Sequence, residues 1–307
     1  MCDAIRLTSL RSILANRALD GCLVMSKTNR FYLSSFTGSN GYLFITPTSA
    51  LMFTDSRYIE QANDEAKDFE VYPLRNSYDE LRELVSSMSI TSIGFEDQEV
   101  SYATYQSISK VVGNSAQLVP MGEAVNSLRT IKDREELSVV GKAVAIADDV
   151  MEITLASLEV GITEQAVART VERSLWECGA DGVAFETIVA SGPNASRPHH
   201  KPGDRIIRLG DVVVIDMGAL FGGYRSDITR TVCIGRADEQ FNKIYHIVRE
   251  AQTSAEELAG PGVNVAALDA VARDVIHSHG YGKYFTHGLG HGIGRDVHEL
   301  PRISGGS

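Results

Sequence analysis

The chain has 307 residues, of which 43% are hydrophobic and 22% are charged, an ordinary composition for a globular protein long enough for two domains. Its net charge of −11 argues against a nucleic-acid partner, because phosphate binding needs a basic face, and no apolar run has the length of a membrane span. The cysteines show neither a paired metal spacing nor a disulfide-rich pattern, so we expect reduced thiols in a cytoplasmic protein at Cys2, Cys22, Cys178 and Cys233.

The first 122 residues are predicted to form an α/β domain. Apolar patterning indicates helices at 5–18, 78–88 and 102–112 and strands at 21–25, 42–45, 50–54 and 92–95. A Gly-Ser-Asn-Gly run supplies a turn before the second strand. Because this region does not cluster His, Cys and carboxylate residues, we expect it to serve packing, dimerisation and the shaping of a partner's site.

A second domain is predicted for residues 123–307, because apolar periodicity lapses between Pro120 and Asn126 before a long helix that ends at Gly161. Thr163 is the expected N-cap of the next helix, with Glu164 in its first turn. One stripe of the long helix is expected to face the core, formed by Leu137, Val140, Val144, Ala147, Met151, Leu155 and Leu158.

A similar helix pair recurs 101 residues further along the chain, with a helix at about 240–259 and another that begins at Asn264. Six positions of the first copy keep their structural role in the second. Gly161, Thr163, Val167, Val171, Leu175 and Gly179 correspond to Gly262, Asn264, Leu268, Ala272, Ile276 and Gly280. The spacing predicts a duplicated half in the second domain, with a pseudo-twofold axis and a site between its sheets.

The segment 211–235, DVVVIDMGALFGGYRSDITRTVCIG, is predicted to form a β-hairpin that carries two buried carboxylates. Its arms are 212–215 and 228–234, and a Gly-Gly pair marks the turn region. Folding the hairpin brings Asp216 near Asp227, and two carboxylates at close range share a proton or hold a cation. Taken alone, the two residues also fit the role of solvated turn formers.

Histidines cluster with glycines in the segment 286–304, THGLGHGIGRDVHELPRIS. Its four glycines between 288 and 294 are expected to let the chain approach a ligand closely. A lone histidine is more often structural than a ligand. Here, however, the cluster occurs in one chain with the carboxylate hairpin and with the sequence Pro198-His199-His200, and this combination favours a chemical role.

These segments resemble the pita-bread metallopeptidases, and within them the Xaa-Pro peptidases of the prolidase and aminopeptidase P group. The resemblance rests on ASGPNASRPHHKPGDR from Ala190, on IDMGALFGGYRSDITRTVCIG from Ile215 and on the His-rich segment. NSLRTIKDREEL from Asn126 is similar to the family's entry into the catalytic domain. NRFYLSSFTGSNGYLFI and FTDSRYIEQA resemble its creatinase-type N-terminal domain, so the similarity extends along nearly the whole chain.

The resemblance implies an α/β N-terminal domain followed by an α+β pita-bread catalytic domain of the creatinase and methionine-aminopeptidase type. Asp216 and Asp227 match the family's metal-binding aspartates, and His291 matches its metal-binding histidine. Such ligands suit two hard or borderline divalent ions, with Mn²⁺ or Co²⁺ expected. The ions would lower the pKa of a water molecule that attacks the substrate carbonyl.

The resemblance also implies a metal-dependent exopeptidase that hydrolyses Xaa-Pro bonds and forms a homodimer. His199 and His298 match histidines that contact substrate and stabilise the tetrahedral intermediate. His287 is expected to line the pocket, and Arg302 to meet a substrate carboxylate. Because an Xaa-Pro bond lacks an amide N–H and bends the chain, a pocket shaped for a pyrrolidine ring could select it.

The chain departs from the family's pattern after the HELP segment. The family completes its metal site with two glutamates on later strands, and neither motif occurs before Ser307. Asp296 and Glu299 do not stand in those motifs. We therefore expect a pita-bread domain truncated at its C-terminus, in which three protein ligands would bind two ions poorly.

The sequence leaves several interpretations open beside an active Xaa-Pro peptidase. The chain could be an inactive fragment of such a peptidase. It could be a metal-free hydrolase that resembles creatinase, although such relatives do not need the aspartate pair. It could also be a catalytically inactive pita-bread module that binds peptides or proteins. Aminopeptidase P and Xaa-Pro dipeptidase activity are not distinguished by the sequence.

Overall fold

The computed structural model describes residues 2–74 and 78–306, apart from the side chains of Cys2 and Asp3. The reduced thiol expected at Cys2 therefore lies outside the described side chains. Within the described ranges, no helix has both the length and the apolar character needed to cross a bilayer. Three described thiols are free, those of Cys22, Cys178 and Cys233.

The chain divides into two compact units, Met1–Ile131 and Lys132–Ser307. The sequence predicts an earlier boundary, after residue 122. In the structure, the first unit also contains two short 3₁₀ turns at and after this position, Gly122–Ala124 and Asn126–Arg129. The Tyr32 hydroxyl donates a hydrogen bond to Leu128 O at 2.9 Å, which ties the second of these turns to the first unit.

The first unit is an α/β domain built on one six-stranded sheet. Its helices are α1 (Cys2–Asn16), α2 (Lys27–Ser34), α3 (Ile59–Glu65), α4 (Asp79–Ser87) and α5 (Tyr102–Val112). Its strands are β1 (Gly21–Val24), β2 (Tyr42–Ile45), β3 (Ala50–Thr54), β4 (Glu70–Pro73), β5 (Ser92–Phe95) and β6 (Gln117–Pro120). The strand order is β4-β3-β2-β1-β5-β6, antiparallel at the centre and parallel at both edges.

Both faces of this sheet are covered, which explains why its central strands read as unbroken apolar runs. Neighbouring residues of a strand point to opposite faces. Cys22 and Val24 pack into one buried cluster and Leu23 packs into the other. The predicted strands β2, β3 and β5 and helix α5 are confirmed. Helix α1 ends before its predicted limit because Ala18 takes a left-handed conformation with φ 52°.

The second unit combines four α-helices with three small sheets among its described residues. Its helices are α6 (Arg134–Ala156), α7 (Glu164–Glu177), α8 (Glu239–Leu258) and α9 (Val265–Ser278). Its strands are β7 (Gly182–Val183), β8 (Ile188–Ser191), β9 (Val212–Met217), β10 (Ala219–Phe221), β11 (Tyr224–Arg225), β12 (Ile228–Cys233), β13 (Gly290–Gly292) and β14 (Glu299–Ile303). The sheets are β11-β10-β7, β12-β9-β8 and β13-β14.

Helix α6 packs on the core with only part of the predicted stripe. Ala147 and Met151 are buried and Leu155 and Leu158 pack against the same cluster, as predicted, whereas the first turns of the stripe face solvent. Leu137 and Val144, two residues of the predicted stripe, are 58% and 44% exposed, whereas Met151 is 3% exposed. The reason lies in Glu136, which is buried because its carboxylate accepts a hydrogen bond from the Tyr224 hydroxyl at 2.6 Å. Directing Glu136 inward turns the adjacent Leu137 toward solvent.

Helix α6 also ends earlier than predicted, at Ala156 and not at Gly161. Gly161 has φ 101°, a conformation that favours glycine, and its N–H donates to Ile207 O at 3.0 Å. The glycine is therefore needed by a turn that joins the loop before β9, and it does not directly follow the helix.

The repeated helix pair keeps its landmarks at the predicted offset of 101 residues. Helices α7 and α9 each have 14 residues and begin after side-chain N-caps, Thr163 and Asn264. Each is followed by a glycine with positive φ, Gly179 at 89° and Gly280 at 82°. The two helices therefore have the same kinds of cap, a side-chain N-cap at the first end and a glycine with positive φ after the last turn.

The orientation of α6 can be tested by truncating one exposed and one buried residue of the predicted stripe. Met151→Ala is expected to lower the free energy of unfolding of the second unit by about 2–5 kcal/mol, because it leaves a cavity in the core. Leu137→Ala, on the same helix, is expected to change it by less than about 0.5 kcal/mol. Urea denaturation followed by the fluorescence of Trp176, the single tryptophan, measures both values in this unit. A larger loss in Leu137→Ala would contradict the observed orientation.

Candidate functional site

Strand β9 holds Asp216 on the face of its sheet that points away from the helices. Val213, Ile215 and Met217 are fully buried in the cluster that includes residues of α6 and α7. Because a strand alternates its side chains, Asp216 faces the other way, where it is half-buried. Thr229 lies opposite it on β12, and the Thr229 hydroxyl donates to Asp216 Oδ1 at 2.8 Å.

The predicted hairpin of β9 and β12 is present, and a second hairpin lies inside it. Strands β9 and β12 pair antiparallel along their whole length. Between them, β10 and β11 form the inner hairpin around the Gly222-Gly223 turn, and β10 also pairs with β7 in a separate sheet. Asp227 directly precedes β12, so both carboxylates lie at the end of the β9–β12 ladder.

The two carboxylates interact, but they are less buried than the sequence predicts. The Asp227 side chain is 26% exposed. Burial raises the pKa of Asp216 above its ordinary value of 3.8; the Thr229 hydroxyl offsets part of this rise, and the Asp227 carboxylate adds to it. The pair is therefore a site where a proton or a cation relieves repulsion.

His291 turns its Nε2 atom toward the carboxylate pair. Its Nδ1 lies 3.0 Å from Gly292 O, and because a carbonyl can only accept, Nδ1 carries a proton. Its Nε2 lies 3.6 Å from Asp227 Oδ2. The ring of His298 packs against that of His291 with centroids 4.3 Å apart. Asp227, His291 and His298 thus form one contiguous polar group.

A cleft of about 770 Å³ opens beside this group within the second unit. Four of the residues predicted for the site line it, namely His199, Asp216, Asp227 and His298. Helix α7 contributes another wall. A cleft of this size holds a small molecule or a short peptide, since ligand pockets commonly measure about 300–1,000 Å³.

The chemical types of the ligand atoms at the cleft are ones that bind divalent cations. Two carboxylates and an imidazole are ligands that Mn²⁺ or Co²⁺ accepts, and a carbonyl bond to Nδ1 is the contact that commonly orients a histidine ligand. Among residues 2–74 and 78–306, however, no group of three or more His, Cys, Asp or Glu side chains is close enough to hold an ion. Coordination would require Asp216, Asp227 and His291 to draw together.

His287 and Arg302 do not line this cleft. The Nδ1 of His287 donates to Gly288 O at 2.8 Å, and its ring packs edge-on against Phe285 with centroids 4.8 Å apart. Arg302 lies on β14 as the cross-strand partner of His291. The structure therefore brings five of the seven predicted residues together and leaves these two outside the cleft.

Two of the four glycines before His298, Gly292 and Gly294, pack closely against the protein itself. A Cβ atom at Gly292 would overlap Leu300 O, and one at Gly294 would lie 2.5 Å from Glu299 Oε2. Both contacts are with β14, so these glycines permit the close approach of that strand.

Glu299, to which the sequence analysis gave no role, holds the turn that carries His298. Its side chain is 3% exposed and pairs with Lys132 Nζ at 3.0 Å. Its Oε1 accepts hydrogen bonds from the backbone N–H groups of Arg295 and Asp296 at 3.0 and 3.1 Å. A buried carboxylate with these partners fixes the backbone on both sides of His298.

Asp269 of α9 and Glu164 of α7 act in the same way on other segments. The Asp269 side chain is 1% exposed, pairs with Arg273 through both oxygens and accepts from Leu289 N at 3.0 Å, two residues before His291. Glu164 is fully buried and accepts from His200 Nε2 at 2.8 Å. Both residues were missed because an acidic residue on a helix is usually solvent-exposed.

Two family models match the chain, one in each unit. The creatinase/prolidase N-terminal domain matches residues 6–131, and metallopeptidase family M24 matches residues 139–307. The uncharacterized peptidase YqhT of Bacillus subtilis (strain 168) is 41% identical over 301 residues, which cover 98% of this chain and 85% of that protein.

Solved structures with the same architecture cover nearly the whole chain. The Xaa-Pro dipeptidase from Bacillus anthracis has a TM-score of 0.94 at 34% identity, covering 99% of this chain and 85% of that one. The X-Pro aminopeptidase from Thermotoga maritima MSB8 has a TM-score of 0.85 at 38% identity, covering 94% and 83%. The predicted fold class, a creatinase-type N-terminal domain followed by a pita-bread catalytic domain, is thereby confirmed.

The repulsion at Asp216 predicts a pH-dependent effect of Asp216→Asn in chelator-treated protein. At pH 7 the substitution is expected to raise the free energy of unfolding, because the native state loses a half-buried charge that faces Asp227. The gain is expected to shrink as the pH falls through the raised pKa of Asp216 toward 3.8, since the wild-type carboxyl then binds a proton. Urea denaturation from pH 7 down to pH 4 measures this difference.

Asp64→Asn is the matched control, because the Asp64 side chain is 86% exposed. This control is expected to change stability little across the same pH range. An effect of Asp216→Asn that is equal at every pH, or a loss of stability at pH 7, would contradict the assigned electrostatics of the pair.

Proposed function

Because the chain belongs to metallopeptidase family M24, we propose that it is a metal-dependent exopeptidase that hydrolyses Xaa-Pro peptide bonds. The observation that carries this proposal is the convergence of His199, Asp216, Asp227 and His298 on one cleft, with His291 turned toward Asp227. Relatives named as Xaa-Pro dipeptidase and X-Pro aminopeptidase support the choice of bond.

Asp216, Asp227 and His291 would hold the divalent ions, Mn²⁺ or Co²⁺ by the chemistry of the donors, and because three protein ligands bind two ions poorly, the second ion of the pair is expected to be held weakly. When bound, such ions polarise the substrate carbonyl and lower the pKa of a water molecule. The Asp216–Asp227 pair supplies negative charge at a half-buried position, which favours a cation there. The hydrogen bond from His291 Nδ1 to Gly292 O keeps Nε2 directed toward Asp227.

His199 and His298 would contact the substrate. Both line the cleft and both are exposed, so a peptide that enters the cleft can reach them. As N–H donors they would hydrogen-bond the substrate carbonyl oxygen while negative charge develops on it. The substrate-binding roles predicted for His287 and Arg302 would need their side chains to move toward the cleft.

Whether the enzyme is a dipeptidase or an aminopeptidase depends on what the cleft accepts beyond proline. Its volume of about 770 Å³ suits a dipeptide or the first residues of a longer peptide. A homodimer and a cytoplasmic location remain proposals as well, the first from the family resemblance and the second from the pattern of cysteines.

Hydrolysis assays with and without ions test the proposal. With Mn²⁺ or Co²⁺, the protein is expected to cleave Ala-Pro but not Ala-Ala, to lose this activity in chelator and to regain it when ions are added. Asp227→Asn is expected to lower kcat/KM more than about a hundredfold. This loss is larger than the roughly tenfold to hundredfold loss expected when only a residue hydrogen-bonded to a metal ligand is replaced. The substitution is also expected to weaken ion binding measured by calorimetry. Asp274→Asn, an exposed carboxylate on α9, is the matched control and is expected to retain both.

Each alternative function gives a different result in the same assays. Cleavage at an unchanged rate in chelator would indicate a metal-free hydrolase. Binding of Ala-Pro without cleavage at any ion concentration would indicate a peptide-binding module. Equal turnover in Asp227→Asn would remove Asp227 from the site. Ala-Pro and Ala-Pro-Ala, assayed in parallel, separate dipeptidase from aminopeptidase activity.

A further inference from the structure

Helix α7 begins with a carboxylate that the proposed mechanism does not use. Glu164 follows the N-cap Thr163, where an acidic residue usually stays in water and interacts with the helix dipole. Here the side chain is fully buried. Burying a carboxylate costs free energy unless hydrogen-bond donors surround it. The donors that contact Glu164 therefore show which segments of the chain it fixes in place.

One oxygen of Glu164 fixes the end of β8 and the start of the next segment. Its Oε1 accepts from Ser191 N at 2.8 Å, from Ser191 Oγ at 2.7 Å and from Asn194 Nδ2 at 3.0 Å. Burial opposes ionisation, but the hydrogen bonds from Asn194, His200 and Ser191 outweigh it and lower the pKa of Glu164 below 4.5. The group is therefore a charged acceptor at neutral pH.

The other oxygen reaches the segment that carries His199. Its Oε2 accepts from His200 Nε2 at 2.8 Å and from Gly203 N at 3.3 Å. Because a carboxylate only accepts, His200 Nε2 must carry a proton. The His200 side chain is 13% exposed, whereas the adjacent His199 is exposed in the cleft.

The chain from Arg197 to Asp211 forms neither helix nor strand, so its position depends on individual bonds of this kind. The far end of this stretch is fixed by Arg205, whose guanidinium bonds both oxygens of Asp211 at 2.7 and 2.9 Å and also the Ser191 hydroxyl. Glu164 accepts a hydrogen bond from the same Ser191 hydroxyl and another from His200. It therefore connects the Arg205–Asp211–Ser191 network to the residue next to His199.

We propose that Glu164 is a positioning residue of the site, which acts through His200 to set where His199 stands in the cleft. The inference rests on the proposed function for the role given to His199. A displacement of about 1 Å in a group that stabilises a transition state can cost about a hundredfold in rate. Loss of the Glu164–His200 bond therefore affects turnover more than substrate binding.

Glu164→Ala removes all five hydrogen bonds that the carboxylate accepts. Glu164→Gln replaces one carboxylate oxygen by an NH2 group, which cannot accept a hydrogen bond from the donors around it. His200→Ala removes the contact that leads to His199, and because the His200 side chain also lines the cleft, His200→Gln, which keeps a side chain and an N–H donor there, is its control. Asn264→Ala is the matched control, because it removes the N-cap of α9, the counterpart of α7, at a stability cost of about 1 kcal/mol.

We expect kcat on Ala-Pro to fall about tenfold to a hundredfold in Glu164→Ala and His200→Ala, with KM nearly unchanged. The double variant is expected to lose no more than the worse single one, because both residues act through one contact. His200→Gln is expected to recover most of the loss. Amide hydrogen exchange over residues 197–204 is expected to rise in both alanine variants and to stay at the wild-type level in Asn264→Ala.

Unchanged exchange over residues 197–204, or a loss of kcat in Asn264→Ala equal to that in Glu164→Ala, would overturn the inference. If Glu164→Ala does not fold, His200→Ala and His200→Gln decide it by the same readouts, because both keep the bonds to Ser191 and Asn194. If the wild-type protein cleaves no Xaa-Pro bond, the proposed function fails, and hydrogen exchange alone decides whether Glu164 holds the segment.

Discussion

The alternation of side chains along β9 determines where the site lies. Val213, Ile215 and Met217 are buried in the core with α6 and α7, so Asp216 has to face the cleft. A slip of one residue would move the carboxylate into that core and expose the apolar side chains. The packing of the second unit and the placement of its central carboxylate are thus set by the same constraint.

Around that strand, buried carboxylates hold the backbone of the segments that carry the histidines, two of them on helices (Glu164 and Asp269) and one on β14 (Glu299). Glu164 holds the segment of His199, Asp269 holds the backbone before His291, and Glu299 holds the turn before His298. Each acidic side chain is almost completely buried and is surrounded by donors. Segments without helix or strand can present side chains in fixed positions only when their backbone N–H groups have such acceptors.

The sequence predicted the inner strands β1, β2, β3 and β5 of the first unit, because both faces of the sheet are covered there and these strands read as short apolar runs. It did not predict the edge strands β4 and β6, which are more exposed, nor the short helices α2 and α3. The residues that line the cleft could be predicted from their chemical types and from the resemblance to a family. The exposure of Leu137 and Val144 on α6 could not, because Glu136 is buried through a partner 88 residues away, Tyr224. A contact with a residue so distant in the chain produces no periodic pattern in the local sequence. The role of Glu164 could not be predicted for the same reason.

Anomalous diffraction from crystals grown with Mn²⁺ would locate the ions directly. If the cleft is the catalytic site, anomalous peaks are expected within about 2.0–2.6 Å of carboxylate oxygens of Asp216 and Asp227, the range for oxygen ligands of divalent ions, and next to His291 Nε2. Saturating Mn²⁺ that gives peaks only at other residues, or no peak in the cleft, would contradict the assignment of this cleft as a metallopeptidase site.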